Sequence, residues 1–97
     1  MCEILAIFLP ECGGKNFHFV HPSAKNTTHI VNCTIRSAFE YSGQKCSACA
    51  RLYVPESRWA DIRDGLVDVM KKLKVDTPLE ADTFTTAVID AKVSASI

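Results

Sequence analysis

The amino-acid sequence predicts a small α/β fold in the order strand, helix, strand, helix, and three observations carry that reading. Two short β-prone runs end at Pro22 and Pro55. Each is followed within a few residues by a stretch whose apolar side chains recur at helical spacing. The second run, Ala50-Arg51-Leu52-Tyr53-Val54, is mostly apolar, which suits a buried strand of a parallel sheet. A chain of 97 residues has room for one modest core and not for two.

The elements follow in order. Met1 to Leu9 is apolar and stops at Pro10. It carries Glu3 where a signal peptide carries Lys or Arg, and it is far too short to span a bilayer, so residues 1–10 read as a strand-like lead. Glu11-Cys12-Gly13-Gly14-Lys15 is a double-glycine turn into a short strand, Asn16-Phe17-His18-Phe19-Val20-His21. Asn26, Thr27 and Thr28 offer N-cap oxygens to a first helix. Val31, Ile35, Ala38 and Phe39 share one face of it, Arg36, Ser37 and Glu40 look elsewhere, and it ends near Gly43. Gln44 to Cys49 is a short connection into the second strand. Ser57 is the expected cap of a second helix, with Trp59, Ile62, Leu66, Val69, Met70 and Leu73 on one stripe. Its Asp61 and Asp64 come early and Lys71, Lys72 and Lys74 late, as the helix dipole prefers. Asp76 to Asp82 is a polar loop, and Thr86 to Ala95 reads as the start of a third helix through Val88, Ile89 and Val93.

Composition narrows the function. Hydrophobic residues are 47% and charged residues 23%, an ordinary globular mixture. Eleven basic and eleven acidic residues leave no net charge, and no basic run is present to neutralise a row of phosphates, so neither nucleic acid nor a membrane is an expected partner. No Arg precedes Arg36, so an Arg-rich targeting segment is not visible in this chain. Five cysteines, Cys2, Cys12, Cys33, Cys46 and Cys49, are an odd number without a disulfide framework and favour a reducing compartment.

Cys46 and Cys49 form a C-x-x-C pair, which suggests a redox dithiol or half of a zinc site. The matching half would be His18 and His21, which point to opposite faces of a strand unless the strand ends between them. A redox pair of the thioredoxin kind opens a helix after a strand, whereas this pair precedes a strand. The plain reading of Cys49 is a small core residue. A non-enzymatic metal-binding module built on His18, His21, Cys46 and Cys49 stands as the alternative. Glu11 beside the Gly-Gly turn is a candidate base, and Cys46 just after a helix end is a candidate nucleophile. Singly, each is matched by an ordinary solvated loop residue.

Together with their flanks they are more specific. Glu11-x-Gly13-Gly14-Lys15, a helix, and Gly43-Gln44-x-Cys46 resemble the paired signatures of the aldehyde dehydrogenase superfamily, in the right order and at nearly the right separation. The text from Glu11 to His21, from Arg36 to Tyr41, from Lys45 to Pro55 and from Ala87 to Lys92 looks like the Δ1-pyrroline-5-carboxylate dehydrogenase branch. The resemblance covers about residues 11 to 92. It implies that Cys46 attacks the aldehyde carbon of L-glutamate γ-semialdehyde, that hydride passes to NAD, and that Glu11 activates the water that hydrolyses the thioester. Ser47 would help hold the substrate carboxylate, and Lys45 and nearby backbone N–H groups would support the thiolate. The parent would serve proline breakdown as a homo-oligomer, in the mitochondrial matrix if eukaryotic.

Members of this family are several times longer. The expectation is therefore a truncated catalytic domain over residues 11–97, without the cofactor domain and inactive alone, in which no residue is assigned to cofactor or metal. The stretch Lys25 to Cys33 holds one residue more than the family pattern, enough to turn a helical face by about 100° or to be taken up in the preceding loop. A third reading is an interaction protein that pairs with a full-length relative through uncovered sheet edges.

Overall fold

A computed structural model describes residues 9–96. The strand expected over Met1 to Leu9 lies outside the described residues apart from Leu9, which is in no strand. The order is strand β1 (Asn16–Phe19), helix α1 (Thr27–Phe39), a 3₁₀ segment (Glu40–Gly43), strand β2 (Cys49–Tyr53), helix α2 (Glu56–Met70) and helix α3 (Ala91–Ser96). The two strands pair in parallel, with Phe17 opposite Arg51, His18 opposite Leu52 and Phe19 opposite Tyr53. Alternation along the strands then sorts the side chains. Leu52, Val20 and Val54 join the core with Ile30 and Ile62, while Phe17, Phe19 and Tyr53 stay exposed on the other face. There Phe17 and Tyr53 meet edge to face at 5.8 Å.

Helix α1 starts where Asn26 accepts the His29 N–H at 2.9 Å through Oδ1. Ile30, Val31, Thr34 and Ile35 form its buried face. Thr34 is the one polar residue buried among the described residues. Its hydroxyl donates to the Ile30 carbonyl at 2.7 Å, so its oxygen accepts from His18 Nδ1 at 2.8 Å, and the proton of that imidazole sits on Nδ1. Strand β1 is thereby tied to α1 by a satisfied, part-buried pair.

Helix α2 crosses α1 where Gly65 removes a side chain. A Cβ there would lie 2.9 Å from Val31 Cγ2. Arg58 adds a polar tie, donating to the Ala24 carbonyl and to Thr27 Oγ1. The cap expected at Ser57 is not used: α2 begins at Glu56, directly after Pro55, whose fixed φ of −59° leads into the helix without a side-chain cap. The apolar stripe is buried only in its middle. Ile62 is fully enclosed, whereas Trp59 and Met70 are nearly half exposed and Leu73 lies past the helix end. The third helix also begins later than the spacing predicts, at Ala91 and not at Thr86. Asp90 Oδ1 accepts the Val93 N–H at 2.9 Å and starts the helix there, while the Ile89 N–H is held by Gln44 Oε1 at 2.9 Å.

Ile62 is the residue on which the helix–sheet contact turns. Ile62→Ala should lower stability by about 2–5 kcal/mol, and Trp59→Ala by less despite its larger side chain, because half of the indole already meets water. Urea unfolding followed by circular dichroism checks the order; equal midpoints for the two variants would mean that the stripe is not seated on the sheet.

Candidate active site

The chain before β1 turns back on itself through two left-handed residues, Gly13 at φ +78° and Gly14 at φ +65°. Only glycine takes that region without strain. Glu11 closes the turn, its Oε1 accepting the Gly13 N–H at 2.7 Å, so the carboxylate is held at the turn. The two glycines have different neighbours. A Cβ on Gly13 would meet nothing within 4 Å, but one on Gly14 would lie 2.5 Å from the carbonyl oxygen of Cys46.

The second half of the site is set by the end of α1. Tyr41 (φ 54°), Ser42 (φ 58°) and Gly43 (φ 74°) form a left-handed run that reverses the chain. Two of them are not glycine, which costs about 1–2 kcal/mol each. Side chains hold the run in place. Ser42 Oγ donates to the Thr86 carbonyl at 2.7 Å and so accepts from Thr85 Oγ1 at 2.8 Å. Gln44 Nε2 donates to the Tyr41 carbonyl at 3.0 Å while its Oε1 takes the Ile89 N–H. The next turn is closed by the Ala48 N–H on the Lys45 carbonyl at 3.0 Å, which places Cys46 and Ser47 at its two corners, both exposed.

Strand pairing brings the halves together. Asn16, opposite Cys49 at the start of the parallel ladder, donates through Nδ2 to the Cys46 carbonyl at 2.5 Å and to the Ala48 carbonyl at 3.4 Å. Gly14 and Asn16 thus both face the peptide that follows Cys46. Glu11 and Cys46 belong to one loop cluster, although the Glu11 carboxylate is bonded to Gly13 and not to the thiol.

The charges of Lys45 and Arg36 are already paired. Lys45 Nζ bonds to Glu40 and lies 5.3 Å from the Tyr41 ring centre, and Arg36 bonds to the same carboxylate at 3.2 Å. The bond from Lys45, then that from Arg36, holds the Glu40 carboxyl below the ordinary glutamate value of 4.5. Lys45, expected to favour a Cys46 thiolate, therefore has its ammonium engaged by Glu40. The glutamate stands five residues before the Lys, a spacing that signals a pair only once the chain reverses at Tyr41. Asn16 and Gln44 were equally hidden, since their partners are backbone groups that no residue pattern reveals.

The residues of the metal reading are not assembled. His18 is bonded to Thr34 and His21 Nδ1 to Ser23 Oγ at 2.8 Å, and Cys49 Sγ donates to the Arg51 carbonyl at 3.3 Å. Among the described residues, no group of three or more His, Cys, Asp or Glu can hold a metal ion. Cys12, Cys33, Cys46 and Cys49 are free thiols. Cys49 is half-buried, not enclosed, so the small-core reading holds only in part. No helix among the described residues is long and apolar enough to cross a membrane.

The model of the aldehyde dehydrogenase family matches residues 4–97. The chain belongs to that family. Among curated relatives of the aldehyde dehydrogenase family, the mitochondrial delta-1-pyrroline-5-carboxylate dehydrogenase of Danio rerio is 64% identical over 83 residues, 84% of this chain and 15% of the relative. Those of Rattus norvegicus and Homo sapiens are each 58% identical over 88 residues, 90% of this chain and 16% of the relative. The chain therefore spans about one sixth of the length of these relatives. As an aldehyde dehydrogenase segment it supplies a small parallel sheet with helices, a partial α/β arrangement.

Two measurements follow from the contact geometry. Gly13→Ala should cost about 1–2 kcal/mol for its left-handed φ alone, whereas Gly14→Ala adds a collision with backbone and should cost clearly more. Matched urea midpoints for the two variants would place Cys46 away from Gly14. For Glu40 the folded value is lowered, so its stabilising pairs are complete above the ordinary glutamate range and are lost as pH falls through the lowered value. A carbon NMR titration should show the Glu40 midpoint below that range in the native chain and moved upward in Lys45→Met; an unmoved midpoint would deny the pairing.

Proposed function

We propose that this chain carries the thiol half of the active centre of an NAD-dependent Δ1-pyrroline-5-carboxylate dehydrogenase, with Cys46 as nucleophile, Glu11 as base and Ser47 as a substrate contact. One observation supports this most: a Gly-Gly turn and a cysteine turn far apart in sequence touch at Gly14 and the Cys46 carbonyl. The parent oxidises L-glutamate γ-semialdehyde to L-glutamate in proline breakdown. It works in the mitochondrion, as the names of the relatives say of those proteins, and, as the resemblance implies, in the matrix and as a homo-oligomer.

The chemistry assigned to these residues is limited to what they can do. Cys46 stands at an exposed turn corner, where an aldehyde can approach its sulfur. The thiolate forms a C–S bond to the carbonyl carbon, and the electron pair of the carbonyl moves to its oxygen. Among the described residues, the Cys46 N–H has no protein acceptor and is available to that oxygen. Glu11, fixed by one oxygen to Gly13, keeps its second oxygen for a proton taken from water when a thioester is hydrolysed. Ser47 at the adjacent corner offers one hydroxyl hydrogen to a substrate carboxylate.

The two strand–helix connections do not fit a dinucleotide. The connection from β1 to α1 runs through His21, Pro22 and Ser23, and that from β2 to α2 through Val54 and Pro55; neither contains a glycine that would let a backbone close on a pyrophosphate. The redox step is accordingly not assigned to this segment. Calorimetry of the 97-residue chain with NAD should show no binding, and saturable binding at micromolar NAD would overturn that division of labour.

Protection experiments test the proposal itself. L-Glutamate γ-semialdehyde should slow iodoacetamide labelling of Cys46 more than butanal does, because only the former has a carboxylate for Ser47. Ser47→Ala should remove that difference. Equal protection by both aldehydes, or none, would sink the assignment of substrate class to these residues.

A further inference from the structure

We propose that Cys33 and His29 form a second thiol centre on this chain, a site at which small-molecule disulfides such as glutathione disulfide form a mixed disulfide, distinct from Cys46. Both residues stand on the exposed side of α1, one turn apart. In an α-helix the side chain of residue 33 leans back toward the N-terminus, over residue 29. Here Cys33 Sγ lies 3.5 Å from His29 Nε2, the nearer ring nitrogen, and 3.8 Å from Nδ1, within reach of a thiol hydrogen bond. The position of His29 is itself fixed, because its backbone N–H is the one that Asn26 caps. The other thiols among the described residues differ. Cys12 and Cys46 are exposed without an imidazole bonded to the sulfur, Cys49 is half-buried and donates to a carbonyl, and the rings of His18 and His21 are bonded to hydroxyls.

In the exchange, the imidazole accepts the Cys33 proton and the thiolate attacks one sulfur of the small disulfide. A new S–S bond forms to Cys33 and the original S–S bond breaks. Its electron pair leaves on the second sulfur, which takes the proton back from the imidazolium. Cys33 and one half of the reagent are joined in the new disulfide, and the other half leaves as a free thiol. Exposure on a helix face gives the reagent an open approach.

Glutathione disulfide added to the 97-residue chain, with mass spectrometry of each cysteine over time, tests this directly. Cys33 should react several-fold faster than Cys12, which is the exposed reference thiol. His29→Gln keeps the backbone N–H that Asn26 caps and should bring Cys33 to the rate of Cys12, with helicity confirmed by circular dichroism. Urea gives a second readout that needs no variant, since loss of α1 should erase the advantage of Cys33. Cys33 reacting no faster than Cys12, or keeping its advantage in His29→Gln or in urea, would overturn the proposal.

Discussion

The contact between Gly14 and the carbonyl of Cys46 is the constraint on which the site depends. A backbone oxygen can reach that position only because Gly14 has no Cβ, and Gly14 can present its bare face only in a left-handed conformation that other residues take at a cost. Asn16 completes the arrangement by binding the same oxygen from the first position of the parallel ladder. The strand pairing therefore does more than hold a sheet together. It fixes the distance between a carboxylate-bearing turn and a thiol-bearing turn, so that any change of register at Asn16 and Cys49 would separate the two.

Strain and its compensation sit on the cysteine side. Tyr41 and Ser42 are held in a region that glycine prefers, and the Ser42 hydroxyl, Gln44 side chain and segment Thr85 to Ile89 hold them there. Without these bonds the chain after α1 would relax and the turn bearing Cys46 would lose its direction. This gives a physical role to residues that carry no chemistry. The segment after α2, which has little regular structure, packs its backbone groups against the reversal and so belongs to the site.

Much of this was legible in the residues. The parallel strands, the Asn26 cap and the spacing of Ile35 and Ile62 follow from local chemistry, and Glu11 and Cys46 stood out through their flanking glycines. What escaped the sequence is what depends on distant backbone. Pro55 started α2 and displaced the cap expected at Ser57, and Asp90 started α3 after Ile89 had been taken by Gln44. Lys45, adjacent to the thiol in sequence, turned to Glu40 in space. Periodicity reports which face of an element is apolar, but it does not report which side chain will bond to a carbonyl thirty residues away. The exposed ends of the α2 stripe show the same limit, since apolar spacing marks a stripe without saying how much of it finds a partner.

The central claim is that the two turns form one unit in solution. Proton NMR of the 97-residue chain tests it most directly through nuclear Overhauser contacts. The account predicts contacts from the Gly14 α protons to the Ser47 amide proton and from the Asn16 side-chain amide to the same turn. If the contacts that report the β1–β2 pairing are present and these are missing, the turns are not joined, and the shared site of Glu11 and Cys46 is contradicted.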